Sequence, residues 1–564
     1  MLRLTLTSTR TALLATALGG FLASVPTSPA VAAQFTVNIT TDGDDFNTAD
    51  PFCDADPGTT GRQCTFRAAI QQTDAQPGRD TVIVPRGNYT IDDETFGALT
   101  VTDDVIVDGG GAASTVLHQD LAGRVLAVGS GARLELRDVT VADGALADDG
   151  AGIRNAGTLI LRRSIVRDNQ VFGSDGAGIY AASGAAATRL FDSVVRGNIA
   201  SGAGPGNPGG KGGGIGVVDG VLQIVRSDIR GNDANEDTVS NINGGGLYIS
   251  QTGSPATIVG STIRGNHANG GNGGGLLYAE SGSSGSLTIR SSTISGNDAE
   301  TCGAGINGGG TSFTIENSTI SGNEAGNSGG GLCVGGPLEI LHSTITANSG
   351  GSSDGLRNLG MLTITITGTI LDNADDDQNC TEDFPATIAS GGSNIDSGTS
   401  CGFPAGQSNI EPRLRPLADN GGPTLTHALR PSSLAIDAAT PGTAPPLDQR
   451  GVPRNPDVGA YELARCGSVV VNRVGTPSGD RLAGTARRDG FLLLGGNDRA
   501  SGRGGGDAAC AGAGRDALLG GPGNDRLLGE SGNDMLVGGP GRDVCIGGSG
   551  RDRTRGCEAG SAEA

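Results

Sequence analysis

Nine aspartates recur at one spacing near the end of the chain: Asp480, Asp489, Asp498, Asp507, Asp516, Asp525, Asp534, Asp543 and Asp552, each nine residues after the one before. Glycines crowd the positions ahead of them, as in Gly520-Gly-Pro-Gly-Asn-Asp and Gly538-Gly-Pro-Gly-Arg-Asp. Glycine turns leave main-chain carbonyls free, and carboxylates beside free carbonyls make the all-oxygen environment that suits Ca²⁺. Without the cation, carboxylates stacked by a repeat repel one another, so this segment is expected to fold in a calcium-dependent way. A glycine-rich tail with scattered acids does not explain nine acids in register.

A second group of chemistry-bearing residues stands just ahead of glycine-rich strands in the middle of the chain. That column reads Asp149, Asp175, Lys211, Asn243, Asn272, Cys302 and Ser328. Asp149, Asp175 and Lys211, the only lysine, would occupy successive coils, and they are the best catalytic candidates in the chain. Glycosidic hydrolysis needs two placed carboxylates, and a lyase or epimerase needs a base near the sugar. A solvated ladder at the mouth of variable loops is the simpler reading of the same residues. His118, His267, His342 and His427 share no repeat position, so they read as surface or packed residues. Asp42, Asp44, Asp45, Asp50, Asp54 and Asp56 crowd an early loop, and Asp375, Asp376 and Asp377 a later one; both read as solvated loops, the first with calcium as the other option. No Ser-His-Asp spacing, phosphate loop or nucleotide fingerprint is present.

What positions these residues is repetition. A Ser-Thr-Ile-Ser-Gly-Asn-like hexapeptide starts at Ser164, Ser193, Ser227, Ser261, Ser292, Ser318 and Ser343, with a degenerate copy at Gly368. The shortest interval is 25 residues, and longer intervals carry inserts. Each unit holds a glycine-rich strand, an apolar strand such as Leu338-Glu-Ile, and the hexapeptide strand. Three short β-branched strands per unit predict one coil of a three-sided parallel β-solenoid, in which each strand pairs with its copies in neighbouring coils. The closing Asn, at 169, 198, 232, 266, 297, 323, 348 and 373, reads as a structural ladder that takes left-handed turn geometry. The longest inserts, between Asn198 and Gly212 and between Asn232 and Gly244, predict a shared loop face. Upstream, Phe66, Ala69 and Ile70 follow Thr65 at helical spacing and predict an N-capped helix over the first coil.

Composition bounds the rest. Of 564 residues 101 are glycine, none is Trp and aromatics are 3%, which excludes a core of large rings and leaves few sugar-stacking platforms. The net charge of −21 argues against a nucleic-acid partner bound through phosphates. Residues 1–33 carry Arg3 and Arg10, an apolar stretch from Ala12 to Ala23, and small residues at Ala30, Ala32 and Ala33. This predicts a secretory signal peptide, and no later apolar run is long enough to span a membrane. The even count of ten cysteines suits export. Neighbour spacing suggests Cys53–Cys64, Cys380–Cys401 and Cys545–Cys557, while Cys302–Cys333 and Cys466–Cys510 follow only by elimination.

Three motifs carry resemblances. Cys64-Thr-Phe-Arg-Ala-Ala-Ile resembles the CSLREA motif of secreted bacterial β-helix proteins, with Ala68 in place of the usual Glu. Pro416-Leu-Ala-Asp-Asn-Gly-Gly-Pro-Thr, Ala435-Ile-Asp-Ala, Asp448-Gln-Arg-Gly and Gly459-Ala-Tyr-Glu resemble the choice-of-anchor Q module. The nonapeptide from about 475 resembles the RTX calcium-binding repeat, whose β-roll completes a turn every two copies, so that aspartates 18 apart stack. The resemblances imply an all-β chain: signal peptide 1–33, cap 34–80, right-handed parallel β-helix of about ten coils over 81–415, anchor-like module 416–464 and RTX roll 475–556. They imply Ca²⁺ as cofactor, a secreted or cell-surface location, and no established chemistry. The expected function is a monomeric, non-enzymatic solenoid presenting loops to an extracellular polysaccharide or cell-surface component. The alternative is a carbohydrate-active lyase, hydrolase or epimerase.

Overall fold

The computed structural model describes residues 32–202, 210–235, 244–250, 253–279, 285–310, 312–373, 378–383 and 385–558. The chain winds as a right-handed parallel β-helix followed by a parallel β-roll. Parallel strands joined by crossovers wind this way because the strand twist favours it. Among the described residues, sheet 1 has thirteen strands, from Gln34–Thr36 to Thr387–Gly392; sheet 2 has twelve, from Gly87–Thr90 to Ile395–Asp396; sheet 3 has eleven, from Thr100–Val101 to Cys380–Glu382. These strand counts per sheet stand beside the ten or so coils read from the sequence. The additional coils lie at the ends, where the repeat is degenerate.

One element was not visible in the repeat. A fourth, narrow sheet of eight strands of two or three residues follows the hexapeptide, from Ala145–Leu146 to Ser349–Gly350. Its inward column is Ala200, Ala234, Ala268, Ala299 and Ala325, all buried. Alanine is a weak strand signal, so pattern alone hides it.

Inside, identical positions stack. Val166, Val195, Ile229, Ile263, Ile294, Ile320 and Ile345 pair coil to coil in sheet 2 and are fully buried. The Asn ladder runs beside them. The Nδ2 of each Asn donates to the Oδ1 of the next, as from Asn266 to Asn297 at 2.9 Å, and the backbone N–H of Asn266 reaches the same oxygen at 3.1 Å. The left-handed residue is the one before the Asn, not the Asn itself: Asp168, Gly197, Gly231, Gly265, Gly296 and Gly322 have positive φ. The opening serine forms a second ladder, each backbone N–H donating to the next coil's hydroxyl, as from Ser261 to Ser292 at 3.2 Å. The glycine-rich strand packs against the Asn amides so closely that a Cβ on Gly246 would lie 2.9 Å from Asn266 Nδ2.

The helix Phe66–Asp74 covers the first coil, with Thr65 as N-cap accepting from the Ala68 N–H. Arg67 on this helix makes a buried ion pair with Asp42 at 2.8 Å. The carboxylates of Asp45, Asp50 and Asp54 accept backbone N–H groups of their own loop, so that loop is closed by hydrogen bonds.

Residues 412–463 dock along the outer face of sheet 2. Gln449 bonds Thr293 Oγ1 at 2.9 Å and accepts from Thr319 Oγ1 at 2.6 Å; His427 meets Ser321 at 2.8 Å; the Ala460 N–H donates to Thr344 Oγ1 at 3.1 Å. Within this module Arg450 and Asp448 form a fully buried pair at 2.9 Å, with the guanidinium 3.8 Å from the Tyr461 ring centroid. Beyond it, two five-stranded sheets build the roll, with partners 18 residues apart and Phe491, Ala509, Leu527, Leu518, Leu536 and Cys545 inside. The ten cysteines form five disulfides: Cys53–Cys64, Cys302–Cys333, Cys380–Cys401, Cys466–Cys510 and Cys545–Cys557. No helix among the described residues is long and apolar enough to cross a membrane.

Candidate metal centre

The nonapeptide sets one aspartate at the start of each roll strand, and the two-copy turn stacks every second one. The backbone N–H of each aspartate donates to Oδ1 of the aspartate one turn later: Asp498 to Asp516 at 2.7 Å, Asp507 to Asp525 at 2.8 Å, Asp516 to Asp534 at 2.9 Å and Asp525 to Asp543 at 2.9 Å. Asp534 donates to Asp552 at 2.9 Å, and the last N–H of the other row, Asp543, ends on Glu558 Oε2 at 2.5 Å. One oxygen of each carboxylate is therefore engaged. The other, Oδ2 of Asp498, Asp507, Asp516, Asp525, Asp534 and Asp543, is buried with no hydrogen-bond partner. A buried anionic oxygen without a partner is costly unless a cation or proton meets it. Burial, and then the neighbouring aspartates, push the Asp507 and Asp516 carboxyls up to about 6.

The space beside these oxygens is kept open by glycine. A Cβ on Gly502, Gly520 or Gly538 would strike Oδ2 of Asp507, Asp525 or Asp543. From the third copy on, the second residue of each turn has a left-handed φ, including the non-glycines Leu494, Arg503 and Glu530. A non-glycine residue held there marks a backbone shape that the site imposes. Among the described residues no three His, Cys, Asp or Glu side chains gather at one point. The donors that fit Ca²⁺ are thus one free carboxylate oxygen per copy together with turn carbonyls.

The first two copies differ. Asp480 Oδ2 accepts from the Thr476 N–H at 2.6 Å and hydroxyl at 3.0 Å, and Asp489 Oδ2 accepts from the Thr485 N–H at 2.6 Å and hydroxyl at 2.9 Å. Neither threonine has a left-handed φ. Their protein partners occupy the oxygen that stays free in later copies. The threonines were readable in the sequence, but their role depends on backbone conformation.

The structure also brings Asp149, Asp175 and Lys211 together on successive coils. Asp149 Oδ1 accepts from the Asp175 N–H at 2.8 Å, and Asp175 Oδ1 accepts from Gly210 and Lys211 N–H at 3.1 and 2.9 Å. Burial raises the Asp175 carboxyl above its ordinary value. Tyr180 lies alongside, its hydroxyl pushed up by burial and then by Asp149 and Asp175. Lys211 Nζ is 5.4 Å from the Tyr248 ring centroid. Both carboxylates act as rungs that satisfy the next coil's backbone. Asp175→Ala should therefore destabilise the fold by about 1–2 kcal/mol by orphaning the Lys211 amide, since the Gly210 N–H keeps the Ser174 carbonyl at 2.9 Å, whereas Asp175→Asn, which keeps the acceptor, should be nearly neutral in urea denaturation.

The remaining candidates do not converge. His118 and His267 face Asp120 and Asp298 at the surface. His342 is buried, which lowers it to about 4, and His427 is taken up by Ser321 and the Arg415 carbonyl. Asp375, Asp376, Asp377 and Asn243 lie outside the described residues, as do most of the two long inserts. The strands those inserts leave, Ile199–Ser201 and Asp233–Asn235, are neighbours in the fourth sheet.

Residues 519–553 match the family of RTX calcium-binding nonapeptide repeats in four copies. These repeats bind calcium. No curated protein matches the chain. Among solved structures, the chain is similar to the Azotobacter vinelandii mannuronan C-5 epimerase AlgE4 A-module, at 18% identity over 58% of this chain and 91% of that one, with a TM-score of 0.37. It is also similar to pectate lyase Pel9A, at 13% identity over 77% of this chain and 97% of that one, with a TM-score of 0.35.

Proposed function

We propose that the protein works outside the cytoplasm as a calcium-stabilised, non-enzymatic solenoid that presents its surface to an extracellular polysaccharide or cell-surface component. The observation that carries this is the row of buried carboxylate oxygens without protein partners in the roll. Such a row suits a compartment with millimolar calcium and would keep the tail unfolded where calcium is scarce, which eases export. Five disulfides fit an oxidising compartment. The signal-like residues 1–33, the CSLREA-like cap over 34–80 and the anchor-like module over 416–464 fit the same setting. The body is then the solenoid over 81–415, and the roll over 475–556 closes the chain as a monomer.

Expression of the full chain in a secreting host tests this. Mature protein recovered from the medium should begin near Ala33 and gain structure with Ca²⁺. Protein that keeps Met1 and stays in the cytosol refutes export. A second reading, a polysaccharide lyase, hydrolase or epimerase, is favoured by one observation, the Tyr180 hydroxyl set against Asp149 and Asp175 with Lys211 on the next coil. A screen of acidic and neutral polysaccharides with and without Ca²⁺ separates the two, since turnover lost in Asp149→Asn would overturn the non-enzymatic assignment.

A further inference from the structure

The fourth residue of the hexapeptide faces outward on sheet 2. Across successive coils that column reads Arg167, Arg196, Arg230 and Arg264, then Ser295, Ser321 and Thr346. Four guanidiniums thus stand about 4.8 Å apart per coil, on a chain whose net charge is −21. Like charges in register across strands repel, so such a column persists only with counter-charges.

Those counter-charges are incomplete. Arg167 meets Asp168 at 2.5 Å. Arg230 and Arg264 share a single carboxylate, Asp228, at 2.7 and 3.0 Å. Arg196 makes no ion pair among the described residues. Three guanidiniums are therefore answered by one aspartate.

They line a groove of about 610 Å³. The residues beside the arginines in that groove are Gly197, Gly231 and Gly265, and a Cβ on Gly231 or Gly265 would meet nothing within 4 Å. The floor next to the column is bare and open. Leu425 of the docked module walls the end where arginine gives way to serine, fixed there by the hydrogen bond from Thr293 Oγ1 to its carbonyl at 2.6 Å.

We propose that this groove binds a segment of a linear acidic polysaccharide, with Arg196, Arg230 and Arg264 each taking a carboxylate of successive uronate units. The guanidinium fork matches a carboxylate in two parallel hydrogen bonds, and spare N–H groups remain once Asp228 is shared. The column advances by one coil at a time, a step of the same order as one sugar ring. The proposal rests on the extracellular reading above and names the ligand class for it.

The test is calorimetry on the full calcium-loaded chain with a short galacturonate oligomer, too short to gel with Ca²⁺. Binding should weaken as salt rises, because the contacts are partly exposed charges. The double variant Arg196→Gln with Arg230→Gln should bind at least about tenfold more weakly, with an unchanged circular dichroism spectrum. Arg189→Gln, on sheet 1 outside the groove, should bind as the parent does. A neutral dextran oligomer should not bind, and a sulfated or phosphorylated oligomer should bind less tightly than the uronate. Equal binding by parent and double variant overturns the groove; so does no uronate binding, a tighter sulfated or phosphorylated ligand, or equal binding of dextran. These outcomes are independent of where the protein is exported and of whether the roll needs calcium, so either reading can fall alone.

Discussion

In a chelator at pH 7, residues 498–556 should lose their amide protection while the solenoid keeps its own. The reason is local. Six buried carboxylate oxygens have no protein donor, and the nearest neighbours in each row are like charges. With free Ca²⁺ at about 1 mM and sites of about 10⁻⁴ M, each ion adds about 1.4 kcal/mol to the folded roll, so a row of them adds up to a transition. The strands Arg481–Ala483 and Gly490–Leu492 should resist, because Thr476 and Thr485 already satisfy Asp480 and Asp489. Asp525→Ala combined with Asp534→Ala should blunt the gain in β-structure on calcium addition, since the pair stands on opposite edges. Hydrogen exchange resolved along the chain reads all of this, and equal protection of residues 516–556 with and without chelator would refute it.

Acid should partly replace the ion. In the metal-free roll the Asp507 and Asp516 carboxyls are raised from 3.8 to about 6 by burial and by their neighbours. The folded form then holds protons more tightly than the unfolded chain. That contribution is fully present below the unfolded value of 3.8 and is lost as pH rises through about 6. In chelator, the roll should therefore be better ordered at pH 4 than at pH 7; the opposite order would count against partnerless carboxylates as the cause.

Asn297→Ala should be the most damaging single change in the solenoid. The side chain accepts from the Asn266 N–H and Nδ2 at 3.1 and 2.9 Å, and donates to Ile263 O at 3.1 Å and Asn323 Oδ1 at 2.9 Å. All of this lies in a dry column, where Asn266, Asn297 and Asn323 are at most 1% exposed. Truncation removes four hydrogen bonds from this column and leaves the Asn266 N–H without an acceptor, while Asn266 Nδ2 keeps Ile229 O and Asn323 Oδ1 keeps the backbone N–H of residue 297, so a loss of about 3 kcal/mol is expected in urea denaturation. Arg290→Gln on the outer face of the same coil should cost about 0.5 kcal/mol, as exposed ion pairs do. Equal effects of the two would mean the ladder is not what holds the coils together.

Much of this architecture could be read from spacing. The hexapeptide marks sheet 2, its apolar residues mark the buried columns, and the nine-residue period marks both rows of aspartates. Three things escaped that reading. The fourth sheet is built on alanine, which carries little strand signal. The left-handed turn sits at the residue before the Asn, because the Asn side chain must stay free to bridge coils. The role of Gln449 could not be seen either, since its partners Ser292, Thr293 and Thr319 lie 157, 156 and 130 residues away. The arginines of the groove were in plain view within the hexapeptide, yet their meaning needed register, exposure and the shared Asp228. For the roll, the period locates the aspartates, but only backbone conformation separates the copies with threonine partners from those with free oxygens.

The docked module changes how the solenoid comes apart. Coils of a solenoid touch only their neighbours, so thermal opening can travel one coil at a time like a zipper. Residues 412–463 break that rule, since they hold Thr293, Ser321, Thr344 and Gly368, which belong to four consecutive coils. Opening any one of those coils strains bonds to the same rigid piece. The stretch from about 291 to 372 should therefore melt as a single cooperative block, while the coils between about 100 and 260, which carry less of this splint, open stepwise from weaker points. A mechanical pull on the C-terminal end would meet the block first, so load entering through the roll is shared across four coils before it reaches the arginine groove.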